Sequence, residues 1–97
     1  ISGDTVDVMS YEPLDKRWES FGWAVATIDG HDMKAIVETV MNGPLEPGKP
    51  TCIILDTVKA KGLSFAEDKL AYHYWKTNPE ELTQAETDLA DTEARLV

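Results

Sequence analysis

An α/β fold with a parallel sheet is predicted for this chain of 97 residues from two strand-like runs and the helical segment between them. The first run, residues 23–28, is mostly apolar and ends at the Asp29-Gly30 turn. The second, Thr51–Val58, is apolar along most of its length, as expected for a strand buried on both faces of a parallel sheet. A helix joining two such strands makes a βαβ unit, so we expect the strands to run parallel.

Two helices are predicted in the first half of the chain from apolar spacing and from capping residues. The first begins at Pro13, which suits a first helical position, and ends at Gly22. Asp32 is placed to cap the second with its carboxylate. The apolar residues of this second helix then recur at helical spacing: Met33, Ile36, Val37, Val40 and Met41. Residues 1–10 are rich in turn formers and are predicted to be mostly loop.

A third helix is predicted at the end of the chain, where Asn78 caps it, Pro79 opens it and Glu81 completes a capping box. It should run to about Leu96. Its buried side is predicted to carry the following residues: Leu82, Ala85, Leu89 and Leu96. No linker is evident, so we expect residues 1–97 to form a single α/β unit that is part of a larger domain, since the chain opens at Ile1 without Met.

The charge balance narrows the classes of partner. Eighteen acidic residues against nine basic ones give a net charge of -9, and such a surface repels nucleic-acid phosphates. No apolar run approaches the ~20 residues of a membrane helix, so we expect neither nucleic acid nor membrane as a partner. The single Cys52 lies in an apolar run and is predicted to be a small buried hydrophobe in a reducing, cytoplasmic compartment.

Ligands of open parallel sheets bind beyond the carboxyl ends of the strands, which here are followed by residues 29–32 and 59–76. The second loop carries the better chemistry. Lys59 can neutralise a phosphate oxygen, and His73 can donate a hydrogen bond or exchange a proton near neutral pH. Spacing alone leaves a solvated lysine and a packed surface histidine open as alternatives. It also favours a turn role for His31 and solvation for the Glu67-Asp68 pair.

Four short motifs follow one another along the chain: Phe21-Gly22-Trp23, Ile28-Asp29-Gly30-His31-Asp32, Lys49-Pro50-Thr51 and Thr57-Val58-Lys59-Ala60-Lys61-Gly62-Leu63-Ser64-Phe65. In order and spacing they resemble the motifs of transketolases, and residues 7–73 look like that family's thiamine-diphosphate domain, most closely the forms split into two subunits. One such motif alone is not specific to a family, but four motifs in register are strong evidence for the resemblance. Ketoacid dehydrogenases and deoxyxylulose-phosphate synthases share the fold and match these motifs less well.

The resemblance implies roles for two residues. Lys59 matches the lysine that opens the family's Lys-Gly loop near the cofactor, and His73, fourteen residues later, matches the histidine of a Trp-His-Gly motif near the diphosphate and the donor sugar. We therefore expect both to bind cofactor, and His73 to act in catalysis as well. Two departures stand out: Ala60 replaces the loop's first glycine, and Tyr74 replaces the glycine after the histidine.

The resemblance also implies a fold, an activity, two cofactors and a partner. The chain would be the final βαβ part of a doubly wound parallel sheet, that of the thiamine-diphosphate-binding fold, closed by a C-terminal helix. The parent enzyme would transfer a two-carbon ketol unit between sugar phosphates, in the pentose phosphate pathway, using thiamine diphosphate and Mg²⁺. The metal ligands would lie upstream of Ile1, with none in this chain; another register of the same resemblance would instead make the Ile1 carbonyl the last ligand. A C-terminal transketolase subunit or domain would complete an oligomeric enzyme. This chain alone would be inactive. The alternatives are a non-catalytic α/β interaction module, or a segment of one of the two related enzyme classes.

Overall fold

The computed structural model describes residues 1–96 and confirms an α/β fold with a small parallel sheet and a C-terminal helix. Two compact units are present: the first is Gly3–Thr57, and the second contains Ile1, Ser2 and residues 58–96. The elements are α1 (Thr5–Val8), α2 (Leu14–Ser20), β1 (Ala24–Asp29), α3 (Met33–Met41), β2 (Thr51–Asp56), a 3-10 turn (Leu70–Tyr72) and α4 (Pro79–Leu96).

The first unit contains the predicted βαβ arrangement. Strands β1 and β2 pair in parallel, with Ala24 opposite Thr51 and Asp29 opposite Asp56. Helices α2 and α3 both pack on β1. The prediction that the two strands pair in parallel is confirmed. The nine residues of α3 and the turns around it provide the crossover connection that parallel strands require. Residues 1–10 differ slightly from the predicted loop, since α1 makes one helical turn there.

The turn after β1 brings two backbone segments into close approach at Gly30. Its N–H donates to the carbonyl of Asp56 over 2.8 Å, which extends the strand pairing by one bond. A Cβ on Gly30 would lie 2.9 Å from the Cβ of Leu55 and would also collide with the methyl group of Thr57. A glycine is required at this position for space, as expected where a backbone passes close to another strand.

Helix α3 begins as predicted. The Asp32 carboxylate accepts from the Ala35 N–H over 3.0 Å, so it caps the helix. Just before the cap, the Asp29 carboxylate accepts from the His31 N–H over 2.8 Å and shapes the turn that leads into the helix. The Asp-Gly-His-Asp motif thus has a local structural explanation at three of its four positions, the carboxylates of Asp29 and Asp32 and the missing side chain of Gly30.

The apolar stripe of α3 is only partly packed against the unit. The half-buried residues on this helix are Ala35, Ile36 and Thr39. The remaining apolar side chains point away from the sheet and are more than half exposed: Met33, Val37, Val40 and Met41. Within the described residues, α3 therefore uses one edge of its apolar stripe.

The prediction that β2 is buried on both faces is wrong for residues 51–58. Its first four residues are only half-buried, and Leu55 is 45% exposed. The reason is topological: β2 has one hydrogen-bonded neighbour in a two-stranded sheet, whereas burial on both faces requires neighbours and covering layers on each side. Cys52, predicted to be buried, is likewise half-buried. Among residues 1–96, the only buried residues are Ala24 and Ala66, which are 3% and 2% exposed.

In the second unit, α4 starts with the predicted capping box. Asn78 Oδ1 accepts from the Glu81 N–H over 2.8 Å, and Glu81 Oε2 accepts from the Asn78 N–H over 3.3 Å. The predicted buried side of this helix is wrong, however, because three of its four residues are exposed: Leu82, Leu89 and Leu96.

The half-buried residues of α4 are Glu81, Ala85 and Asp88, at i, i+4 and i+7. Two of the three are carboxylates, and both accept hydrogen bonds from the loop that precedes the helix. Polar bonds, rather than leucine packing, therefore select the side of α4 that faces its own unit.

Candidate functional site

The loop after β2 is shaped by its own backbone. The Asp68 N–H donates to the Lys59 carbonyl over 3.0 Å, and the Leu63 N–H donates to the Ala60 carbonyl over 3.1 Å. Ala60 adopts a φ of 54°, in the left-handed region that favours glycine. Ala60 thus adopts the backbone conformation that a glycine favours. The alanine that replaces the family's glycine therefore preserves the shape of the loop.

Lys59 lies at the start of this loop with its side chain exposed. Its Nζ donates to the Lys69 carbonyl over 2.7 Å. An ammonium has three donor hydrogens, so this one bond leaves donors that can reach an anion. Lys61 differs, because its Nζ lies 3.0 Å from a Glu67 carboxylate oxygen. Of these two lysines, Lys59 is therefore the better candidate for binding an anion.

His73 lies at the end of the 3-10 turn, where its N–H donates to the Leu70 carbonyl over 3.0 Å. Its side chain is exposed, and its ring stands edge-to-face with Tyr74, with 4.8 Å between centroids and 85° between planes. Tyr74 itself is 81% exposed. The tyrosine in place of the family's glycine therefore adds an aromatic contact to the imidazole and points outward.

Lys59 and His73 belong to the same compact unit and are joined through one short segment. The Lys59 ammonium is bonded to the carbonyl of Lys69, and the next residue, Leu70, begins the turn that ends at His73. Both side chains reach solvent, which a shared anion would require. That they bind one diphosphate, and that His73 is catalytic, remain predictions.

An aromatic cluster lies directly beside His73. The rings of Phe65, Tyr72 and Trp75 are mutually 5.6–5.7 Å apart between centroids, in tilted or edge-to-face pairs. The Glu81 carboxylate accepts from Tyr72 Oη over 2.9 Å and from Trp75 Nε1 over 3.0 Å. The bond from Trp75, followed by the bond from Tyr72, holds the pKa of Glu81 below its usual value. The bond to Glu81 in turn raises the pKa of Tyr72.

A second carboxylate of α4 holds the other end of the loop. Asp88 accepts from the Ser64 N–H over 2.7 Å and from the Gln84 amide over 2.8 Å. The backbone bond from Ser64 is the main cause of its lowered pKa. The sequence indicated Glu81 only as a capping residue and did not indicate Asp88. The available signal was two acidic residues seven positions apart, after a loop rich in donors.

The other candidate residues have structural partners. Glu67 accepts from the N–H of Gly62 as well as from Lys61, and Asp68 adopts a left-handed φ of 56° in the loop. His31 lies in the turn into α3. Within residues 1–96, no three His, Cys, Asp or Glu side chains are grouped so that they could hold a metal ion.

The first unit has an open cleft of about 550 Å³ near the carboxyl end of β2. Its lining includes three carboxylates, those of Glu12, Asp15 and Asp56, with Tyr11 and Thr57 beside them. Three acidic groups in one cleft repel a diphosphate. The Lys59–His73 loop is therefore the better candidate for an anion site.

No helix of the described residues has the length and apolar character needed to cross a membrane.

A parallel βαβ unit followed by a loop at the carboxyl end of β2 is the arrangement of open α/β proteins, which bind ligands in such loops. Residues 1–93 match the family model described as the transketolase thiamine diphosphate binding domain. The chain belongs to the transketolase family. The recognition from four motifs is therefore confirmed.

Three relatives show the range of similarity. The 6-deoxy-6-sulfo-D-fructose transketolase subunit SqwG of Clostridium sp. (strain MSTE9) is 45% identical over 80 residues, covering 82% of this chain and 29% of that protein. An apulose-4-phosphate transketolase subunit of Actinobacillus succinogenes is 35% identical over 92 residues, covering 94% and 33%. Mouse transketolase-like protein 1 is 32% identical over 78 residues, covering 80% and 13%. The chain spans a third or less of the length of these relatives.

Proposed function

We propose that this chain is the part of a transketolase that contributes Lys59 and His73 to the binding of thiamine diphosphate, in an enzyme that transfers a two-carbon ketol unit between sugar phosphates. The observation that supports the proposal is the exposure of both side chains in one compact unit, where the Lys59 ammonium is bonded to the residue preceding the turn that carries His73. The related subunits named above support the reaction class.

The residues present fit a diphosphate. Lys59 brings a positive charge with donors to spare, and the exposed imidazole of His73 can donate to a phosphate oxygen or to a sugar hydroxyl. Gly62, half-buried in the same loop, has a φ of 98° and nothing within 4 Å of where a Cβ would lie, so a ligand has room beside the backbone there. The cofactor would supply the carbanion-stabilising chemistry, while these residues bind and orient it.

The metal and the partner belong to the same proposal. Mg²⁺ would be held by oxygen ligands outside residues 1–96 and would offset the negative charge of the diphosphate. Two relatives are named as subunits, which supports a second subunit for this enzyme. That subunit would be the C-terminal transketolase part and would complete an oligomeric, cytoplasmic enzyme. The names of the relatives include both a sulfosugar and a sugar phosphate, and we propose sugar phosphates as substrates here.

Calorimetry with thiamine diphosphate and Mg²⁺ tests the proposal on the chain alone and on the enzyme assembled from the complete subunit and its partner. We expect no tight binding to the chain alone. In the assembled enzyme, Lys59→Ala and His73→Ala should each weaken binding of cofactor or use of the donor sugar by about tenfold, the loss of one charge-assisted hydrogen bond.

Lys34→Ala is the matched control, because Lys34 is an exposed lysine on α3 with a loose ion pair to Glu38 at 3.8 Å. It should leave binding unchanged. Sub-micromolar binding by the chain alone would contradict the proposed division of the site. Wild-type affinity and kinetics in both Lys59→Ala and His73→Ala would contradict the assignment of the loop. An assembled enzyme that binds no cofactor would favour the non-catalytic interaction module.

A further inference from the structure

Glu81 makes more hydrogen bonds than a capping residue needs. A glutamate at the third position of a capping box has one task, to accept from the N–H of the cap residue. Glu81 Oε2 does so with Asn78 over 3.3 Å. The same carboxylate also accepts from Tyr72 Oη and from Trp75 Nε1, over 2.9 Å and 3.0 Å. These extra bonds indicate a function other than helix initiation.

The two extra donors lie on either side of His73 in the chain, one residue before it and two residues after it. Bonds to an ionised acceptor are about twice as strong as bonds between neutral groups. The rings of Tyr72 and Trp75 are also in contact with each other, at 5.6 Å between centroids, and each contacts Phe65. The backbone that carries His73 is thus fixed at two points by one carboxylate and one aromatic cluster.

The imidazole of His73 is exposed and has its ring contact with Tyr74, which is itself exposed. The region that the imidazole can reach is therefore set by the position of the backbone that carries it, and its χ rotamers are the remaining freedom. We propose that Glu81 is a positioning residue for His73: by accepting from Tyr72 and Trp75 at once, it sets the orientation of the segment that presents the imidazole. The proposal rests on the proposed function in so far as His73 meets a diphosphate.

Nuclear magnetic resonance of the complete chain tests the positioning directly. Two resonances are followed, the indole N–H of Trp75, assigned by its loss in Trp75→Phe, and the imidazole C–H of His73, assigned by its loss in His73→Gln. Glu81→Ala should shift both resonances. Glu81→Gln, whose amide oxygen can still accept from one donor, should give a smaller shift, and it keeps the test valid if Glu81→Ala disrupts α4.

Two controls separate positioning from helix stability. Asn78→Ala removes the bond from the Glu81 N–H to the cap side chain but leaves Tyr72 and Trp75 bonded to the carboxylate. Glu80→Ala removes a neighbouring charge from the first turn. Both variants should leave the two resonances in place. Unshifted resonances in Glu81→Ala, or equal shifts in Asn78→Ala, would overturn the proposal.

A double-mutant cycle on the assembled enzyme links positioning to binding. Glu81→Ala should weaken thiamine diphosphate binding by about tenfold, and should add no further loss in a His73→Ala background. An equal loss in both backgrounds would show that Glu81 does not act through His73, against the proposal. If His73→Ala binds like the wild type, the proposed function of His73 fails, while the resonances still decide whether Glu81 orients its segment.

Discussion

Ala60 carries a backbone conformation that most residues avoid. Its φ of 54° lies in the left-handed region, where an L side chain costs roughly 1–2 kcal/mol relative to the right-handed helix. The resembling family has glycine at this place, so the alanine preserves the loop's shape at a cost in stability. The loop's own backbone bonds, such as that from the Asp68 N–H to the Lys59 carbonyl, hold it there.

Replacing Ala60 with glycine should therefore stabilise the chain, by about 1 kcal/mol, because relief of the strained φ exceeds the extra entropy of glycine in the unfolded state. Urea denaturation measures the change. Ala71→Gly is the control, since Ala71 lies in the 3-10 turn and is not among the residues with positive φ. That variant should lose about 0.5–1 kcal/mol. A destabilised Ala60→Gly would refute the left-handed assignment.

Gly30 contributes to stability because it has no side chain where two backbone segments pass close together. Gly30→Ala should destabilise the chain by about 1–3 kcal/mol, because the new methyl group would overlap Leu55 and Thr57 on the neighbouring strand. Chemical denaturation gives the loss. Gly43→Ala serves as a comparison, since a Cβ there meets only the Val40 carbonyl at 3.4 Å and the Thr39 carbonyl at 4.0 Å. Equal losses at the two glycines would mean that the close approach is absent.

At the level of elements, α4 is bound to its own unit through carboxylates rather than leucines. The periodicity of Leu82, Leu89 and Leu96 predicted the wrong side. The prediction failed because apolar spacing identifies which side of a helix can be buried and takes no account of donors elsewhere in the chain. The Ser64 N–H, the Tyr72 hydroxyl and the Trp75 indole all lie in the preceding loop.

Those carboxylates make the second unit sensitive to acid. The pKa values of Glu81 and Asp88 are lowered from 4.5 and 3.8 by hydrogen bonds, chiefly from Trp75 and from the Ser64 N–H. A depressed pKa adds stability above the unfolded value, and that stability is lost as the pH falls through the folded value. We therefore expect the contribution to be complete above about pH 4.5 and to disappear below it.

The double variant Glu81→Gln, Asp88→Asn measures this contribution by denaturation at a series of pH values between about 7 and 3. The wild type should be the more stable protein at neutral pH, and the difference should shrink steadily below the unfolded pKa of Glu81. A difference that stays constant across the whole range would show that neither carboxylate has a lowered pKa.

Local signals predicted the starts of elements well. Asp32 caps α3 and Asn78 caps α4 as expected, because a cap bonds to residues two or three positions away and is written into a few consecutive residues. Parallel pairing of β1 and β2 followed from the length of the connection. The half-exposure of Cys52 could not be predicted in this way, since burial depends on which layers cover a strand.

At the scale of the whole molecule, the described residues bury very little. Two alanines are buried, while Met33 and Met41 on the apolar side of α3 are each at least 70% exposed. Exposed apolar surface of this kind is typical of interaction sites. The chain also covers a third or less of the relatives it matches. Both facts agree with the proposal that activity belongs to an assembled enzyme.

The candidate site shows the same division between local and distant information. Lys59 and His73 could be selected from the sequence because the resembling motifs fix their separation along the chain. Their setting could not, since the bond from Lys59 to the Lys69 carbonyl and the bonds of Glu81 depend on how the loop folds back on itself.

The spacing of Glu81 and Asp88 on α4 fixes the distance between the two points at which the helix holds the preceding loop, Tyr72 and Ser64. Seven residues of an α-helix advance by about 10.5 Å and return to nearly the same side of the helix. One residue inserted between them would rotate the second carboxylate by about 100° and release Ser64 from it. The positions of the two carboxylates along and around this helix therefore determine where the loop is held.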